Sequence, residues 1–215
     1  MIKTIIYEPM TTITDLIIAF IAFYYSRELT SIYINQLLNV QYYWIWTFRM
    51  LAFGALLGAL SHGIGPYCSE TIANLIWKFT TYSIGVMTYF IFMTMLYHLF
   101  EYQFVIKIRW VMLSFLVFYL LIVTRNDAFI NVIKFYVPLM IIVIIGLLYS
   151  YVNYKSAGVI MIISGIFISF IAAGVQQSGI VLHKHMNYND IAHFIQMFAI
   201  WYFYRGSLVL KDAII

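Results

Sequence analysis

The chain has 215 residues, of which 64% are hydrophobic and only 9% charged, whereas a soluble domain carries about 25% charged residues. A chain this apolar cannot clothe itself in a polar surface, so its solvent is lipid, which excludes a cytosolic enzyme and a secreted disulfide scaffold. The net charge of +4 is scattered, with no basic stretch to grip nucleic acid, and the lone Cys68 excludes an internal disulfide and every cysteine-based zinc or iron–sulfur site.

A helix needs about 20 apolar residues to cross the hydrocarbon core. The hydropathy pattern predicts seven such spans, roughly 10–26, 42–62, 71–97, 109–124, 130–152, 158–180 and 188–206. Runs such as Val137–Leu148 are apolar on every side, which suits a helix and not the alternating strand of a barrel. The first span reads as uncleaved: Lys3 alone supplies positive charge ahead of it, Glu8 and Pro9 interrupt the run, and Asp15 sits inside it. Breaks are expected at Arg27-Glu28, Gly63–Glu70, Tyr102–Lys107, Arg125–Ala128, Asn153–Ser156 and His183–Asn187. With no low-complexity tract or repeat, residues 1–215 form a single all-α integral membrane domain, a seven-helix bundle.

Orientation follows the side richer in Lys and Arg. Seven spans place Lys3, Arg125 and Lys184 on one side and Arg27, Lys107, Arg109, Lys155, Arg205 and Lys211 on the other. The amino terminus is therefore expected outside and the carboxyl terminus in the cytoplasm.

Ionisable residues within spans are expensive and mark function by default. Glu8 and Asp15 begin the first span, seven residues apart and nearly on one face. His62 ends the second, Glu70 and Asn74 begin the third, and Gln176 and Gln177 lie late in the sixth. Asn189, Asp190 and His193 open the seventh, with Gln196 one turn deeper. Alternating helix direction brings all of these to one membrane face. His98 belongs to the opposite, interfacial end, and His183, Lys184 and His185 to a solvated loop.

Asp190 and His193 have the i, i+3 spacing that points two heteroatoms at one spot. With His62 they make two histidines and a carboxylate, a sufficient set for a catalytic zinc with water in the fourth position. Such a metal would activate that water and polarise an amide or ester carbonyl. Glu8, Asp15 and Glu70 are the candidate general bases or last ligands. The bland alternative is a polar cluster that joins helices by hydrogen bonds, typically worth about 0.6 kcal/mol each. A retinal protein is excluded because no lysine lies between Asn187 and Tyr204. A carrier is disfavoured because no inverted repeat is visible and Pro138 is the only proline well inside a span.

Several motifs carry a resemblance: Tyr7-Glu8-Pro9 with Thr14-Asp15, Ser61-His62-Gly63, and Asn189-Asp190-Ile191-Ala192-His193 running to Tyr204-Arg205-Gly206. Together with seven spans, they resemble the membrane hydrolase superfamily of alkaline ceramidases and progestin/adiponectin receptors, through a bacterial branch of small seven-helix proteins. The resemblance implies zinc held by one histidine of the second helix and two of the seventh, helped by a serine and an aspartate. His62 and His193 match two of those histidines, Asn189 stands at the third, and Gly58 at the serine. The expected function is a zinc-dependent hydrolase of a lipid amide or ester near the outer leaflet of a bacterial inner membrane, with membrane lipids as partners. The alternative is a non-enzymatic seven-helix receptor or a partner subunit of a membrane complex. Cysteines placed at positions 8 and 155 should label from opposite sides of the membrane; labelling from the same side would overturn the seven-span topology.

Overall fold

The computed structural model describes residues 6–181, 183 and 186–213. The described residues fold into seven α-helices: α1 Pro9–Gln36, α2 Asn39–Gly63, α3 Glu70–Leu99, α4 Tyr102–Arg125, α5 Phe129–Tyr154, α6 Val159–Ser178 and α7 Tyr188–Ser207. A short 3₁₀ turn, Gly65–Tyr67, links α2 to α3. The first six helices are long and apolar enough to cross a membrane. Of the expected lysines and histidines, Lys3, Lys184 and His185 lie outside the described residues.

Two helices run further than the hydropathy pattern predicts. α1 continues through Arg27-Glu28 to Gln36, and α4 begins at Tyr102, ahead of Lys107 and Arg109. Charge ends an apolar run without ending a helix, because Arg, Lys and Glu are good helix formers. The actual stops are conformational. Leu37 takes a left-handed conformation (φ 53°) and donates its N–H to the Tyr33 carbonyl, so α1 and α2 are joined by two residues only. Lys155 does the same after α5 (φ 50°), and Gly158 and Gly179 bracket α6 with positive φ. At the other terminus of α1, Pro9 occupies the first turn, where its missing N–H is no loss.

α2, α4 and α5 pack against α3, whose run Ile91–His98 is buried along its whole length. α1 and α2 form one antiparallel pair and α6 and α7 another, with α1 also against α7 and α5 against α3. The main core gathers Trp44, Phe48, Met93, Leu147, Ile166 and Phe203. A smaller cluster joins α3, α4 and α5 around Tyr119, whose ring stacks on Phe135. Gly85 admits that ring: a Cβ there would fall on the Tyr119 aromatic edge. The Tyr119 hydroxyl donates to the Thr81 carbonyl at 2.7 Å, so the polar tip is satisfied inside the bundle.

The carboxyl-terminal tail closes one end. Asp212 accepts from the Asn39 and Val40 N–H groups at 2.9 and 2.8 Å and from the Asn39 amide at 2.8 Å. It thereby serves α2 as an N-cap supplied from a distant part of the chain, meeting donors that no residue of α2 satisfies. Ala213 N–H bonds the Tyr97 carbonyl, and Lys211 O accepts from His98 Nδ1 at 2.7 Å. Asp212→Ala should lower stability by about 1–2 kcal/mol, the usual cost of a lost N-cap. Thermal unfolding of the detergent-purified protein measures it, and an unchanged midpoint would mean the tail does not hold α2.

Candidate functional site

The first two turns of α1 position the polar cluster. Tyr7 and Glu8 donate their N–H groups to the Gly63 and His62 carbonyls at 3.0 and 3.2 Å, tying the entering chain to the end of α2. This satisfies carbonyls the helix terminus leaves open and sets Glu8 beside His62. His62 Nδ1 and Glu8 Oε2 are then 3.1 Å apart. Two turns on, Asp15 points from α1 toward α7, where its Oδ1 lies 3.4 Å from His193 Nε2. The other ring nitrogen, Nδ1, is 2.8 Å from Thr14 Oγ1. Thr14 also lies 3.0 Å from the Thr11 carbonyl, and its single proton serves one acceptor at a time. When Thr14 donates to Nδ1, the imidazole proton is on Nε2 and faces Asp15, giving a continuous Thr14–His193–Asp15 chain.

Asp15 is only 5% exposed. Its second oxygen, Oδ2, has no hydrogen-bond partner among the described residues. It lies over Gly58 of α2, 3.0 Å from where a Cβ would be. A side chain at Gly58 would crowd the carboxylate, so the glycine eases the approach of Asp15 to α2.

A cavity of about 200 Å³ extends from this cluster into the bundle. Asp15, His62, His193, Gln176 and Gln196 form its polar end, and side chains such as Ile18, Leu51, Met87, Val132 and Ala172 its apolar wall. Gln196 donates to Ser169 at 3.2 Å, and Gln176 approaches Asn189 at 3.4 Å, so the amides fasten α6 to α7.

Of the six residues expected from sequence, four meet here and two do not. Asp190 is not aimed at the cavity. Its Oδ1 accepts from Thr11 Oγ1 at 2.9 Å and its Oδ2 from the Asn187 N–H at 2.8 Å. The Asn187 side chain in return accepts from Asn189 and Asp190 N–H, completing a capping box. The spacing that reads as a metal pair is thus a helix start, and both carboxylate oxygens are occupied by it. Glu70 stands exposed at the first turn of α3, which leaves His62, His193 and Asp15 on the cavity lining, with Glu8 behind them, paired to His62. Among the described residues no three His, Cys, Asp or Glu groups are gathered where they could hold a metal ion. His62, Asp190 and His193 are not gathered as one such group, and Asp190 is engaged in the start of α7.

Sequence reading also missed a second polar centre, at the opposite end of the bundle. His98, in the last turn of α3, is buried within the protein: Nδ1 bonds Lys211 O and Nε2 lies 2.7 Å from Ser150 Oγ, which is 2.7 Å from Ser156 Oγ. A carbonyl can only accept, so the ring carries a proton on Nδ1, while the single Ser150 proton is shared between its two neighbours, His98 Nε2 and Ser156 Oγ. No local signal marks this group, whose members come from α3, the α5 end, the following loop and the tail.

These features define a class: a helical membrane bundle with an embedded carboxylate–imidazole cluster at the head of a largely apolar cavity. The chain belongs to the family of unknown function DUF6962, whose family model matches residues 10–212. No curated protein and no solved structure matches the chain.

Asp190→Ala should destabilise the protein by about 1–2 kcal/mol, since it removes the N3 half of the α7 capping box and the buried acceptor of the Thr11 hydroxyl proton. Asp190→Asn should cost distinctly less. If the two unfold at the same temperature as the parent, the capping box does not hold α7 in place.

Proposed function

We propose that the protein binds a small amphiphilic molecule in this cavity, its polar end at Asp15, His62 and His193 and its apolar end between α2, α3, α5 and α6. The observation that carries the reading is the continuity of the cavity: one end is acid, imidazole and amide, and the rest is mainly aliphatic and aromatic, with Thr80 and Ser169 among it. Binding cavities combine largely apolar walls with a few convergent polar groups that fix orientation. The reading takes α7 as a seventh span and places the amino terminus outside, in a bacterial inner membrane; the Lys and Arg distribution and the resemblance to the ceramidase and progestin/adiponectin receptor superfamily support it.

Hydrolysis of a lipid amide or ester is the second reading, favoured by the two carboxylate–imidazole pairs, Glu8–His62 and Asp15–His193. A paired imidazole beside a cavity is suited to removing a proton from water, with the carboxylate orienting the ring. Zinc has no part in this version, because Asp190 is engaged elsewhere.

Thermal unfolding with added heptylamine, heptanol or heptanoate tests the first reading. A ligand at a hundred times its Kd should add about 2.7 kcal/mol of stability, and Ala173→Phe, which fills the cavity, should abolish the effect. No stabilisation by any of the three overturns the reading. The hydrolytic reading expects product release from a short-chain lipid amide or ester and its loss in His193→Ala. No release, with or without added zinc, removes it.

A further inference from the structure

On the outward side of α2, away from the cavity, one cation stands where a lipid-facing helix is otherwise apolar. Tyr42, Phe53, Leu56 and Leu60 are exposed and fall on one stripe of α2, and Arg49 shares that stripe. Arg49 is half-buried in the seam between α1 and α2. Its Nε donates to Ser26 Oγ of α1 at 3.3 Å, and its guanidinium carbon lies 4.8 Å from the centre of the Trp46 ring. The terminal nitrogens, Nη1 and Nη2, reach the surface and have no partner among the described residues. No carboxylate answers the charge: the ion pairs among the described residues are those of His62 and His193. An arginine on a lipid-facing surface is costly until its head reaches an anion or the head groups.

The side chain is directed toward the head groups. A helical Cα–Cβ bond leans toward the amino terminus of its helix, and the contact with Trp46, one turn earlier, carries the guanidinium the same way along α2. Its partner Ser26 stands about 27 Å along α1 from Glu8, at ~1.5 Å per residue, against a hydrocarbon core of about 30 Å. The guanidinium therefore lies just inside the phosphates of the leaflet on the carboxyl-terminal side. Arg27, next to Ser26, is exposed at the same depth, on the stripe of α1 that carries Phe20 and Tyr24. Lys107, Arg109, Lys155 and Arg205 belong to this end of the bundle too, whereas its described acids are Glu28, Glu101 and the capping Asp212. We propose that the seam between α1 and α2 holds the phosphate of an anionic phospholipid, gripped by the two free nitrogens of Arg49, with Arg27 as the second cation and an acyl chain along Phe53 and Leu56. The planar guanidinium fork offers a phosphodiester two parallel N–H bonds. A zwitterionic lipid brings its own cation to a surface that already has two, so an anionic head is preferred. The site is independent of what the cavity binds.

Native mass spectrometry of the delipidated, detergent-purified full chain decides it, with phosphatidylglycerol and phosphatidylcholine of identical acyl chains offered in equal amounts. The first lipid bound should be phosphatidylglycerol, by about tenfold over phosphatidylcholine. Arg49→Gln should abolish that preference. Arg49→Lys should restore only part of it, because an ammonium keeps the charge and loses the fork. Lys107→Gln, at the same end of the bundle but on α4, should leave the preference intact. The comparison of the two lipids on the unmodified protein stands even if a variant fails to fold. Equal binding of the two lipids overturns the proposal. A preference that survives in Arg49→Gln, or that is lost as fully in Lys107→Gln, overturns it as well, since the attraction then belongs to the positive end as a whole. Displacement of the lipid by an equal concentration of glycerol phosphate would make the site one for a soluble phosphate and overturn the lipid assignment.

Discussion

Two turns of polar contacts at the start of α1 brace the bundle, and the site is a consequence of them. Glu8 meets His62 on α2, Thr11 meets Asp190 on α7, and Thr14 and Asp15 together hold His193. In hydrocarbon these groups have no water to turn to, so each must find a partner on a neighbouring helix. Individually such bonds contribute little, typically ~0.6 kcal/mol between transmembrane helices. Collectively they set the rotation and depth of α1 against two helices at once. Apolar packing alone would leave that rotation poorly specified, because α1 presents apolar side chains nearly all round.

The brace is incomplete at one point. Every oxygen of Asp190 is paired, whereas Asp15 keeps one free beside Gly58. The two acids differ in kind: one is consumed by helix capping, while the other packs its second oxygen against a glycine, 3.0 Å from where a Cβ would be.

The far end of the bundle is built differently. There His98, Ser150, Ser156 and the carbonyl of Lys211 form a closed chain of donors and acceptors, while Asp212 caps α2. Each group has a protein partner, and none lines the cavity. This end ties the carboxyl-terminal tail to α2, α3 and α5, giving the bundle a fixed floor opposite the polar cluster.

Number, order and approximate position of the helices were legible in the sequence, because length and hydropathy are local properties that any bilayer-sized helix must satisfy. The gathering of Glu8, Asp15, His62 and His193 at one end was legible too, since alternating direction dictates depth. Depth, however, is not direction. Each residue turns the side chain about 100° around the helix axis, and only packing decides which way a helix is rotated. That rotation turned Glu70 out to the surface, gave Asp190 to Thr11 and the backbone of Asn187, and buried His98 among groups distant in sequence. It also set Asp15 against Gly58, a contact between two helices with no signature in either. Sequence determined which polar residues share a depth in the membrane; tertiary structure alone decided which of them face one another, because partner choice depends on the mutual rotation of helices that are each apolar enough to pack in several ways.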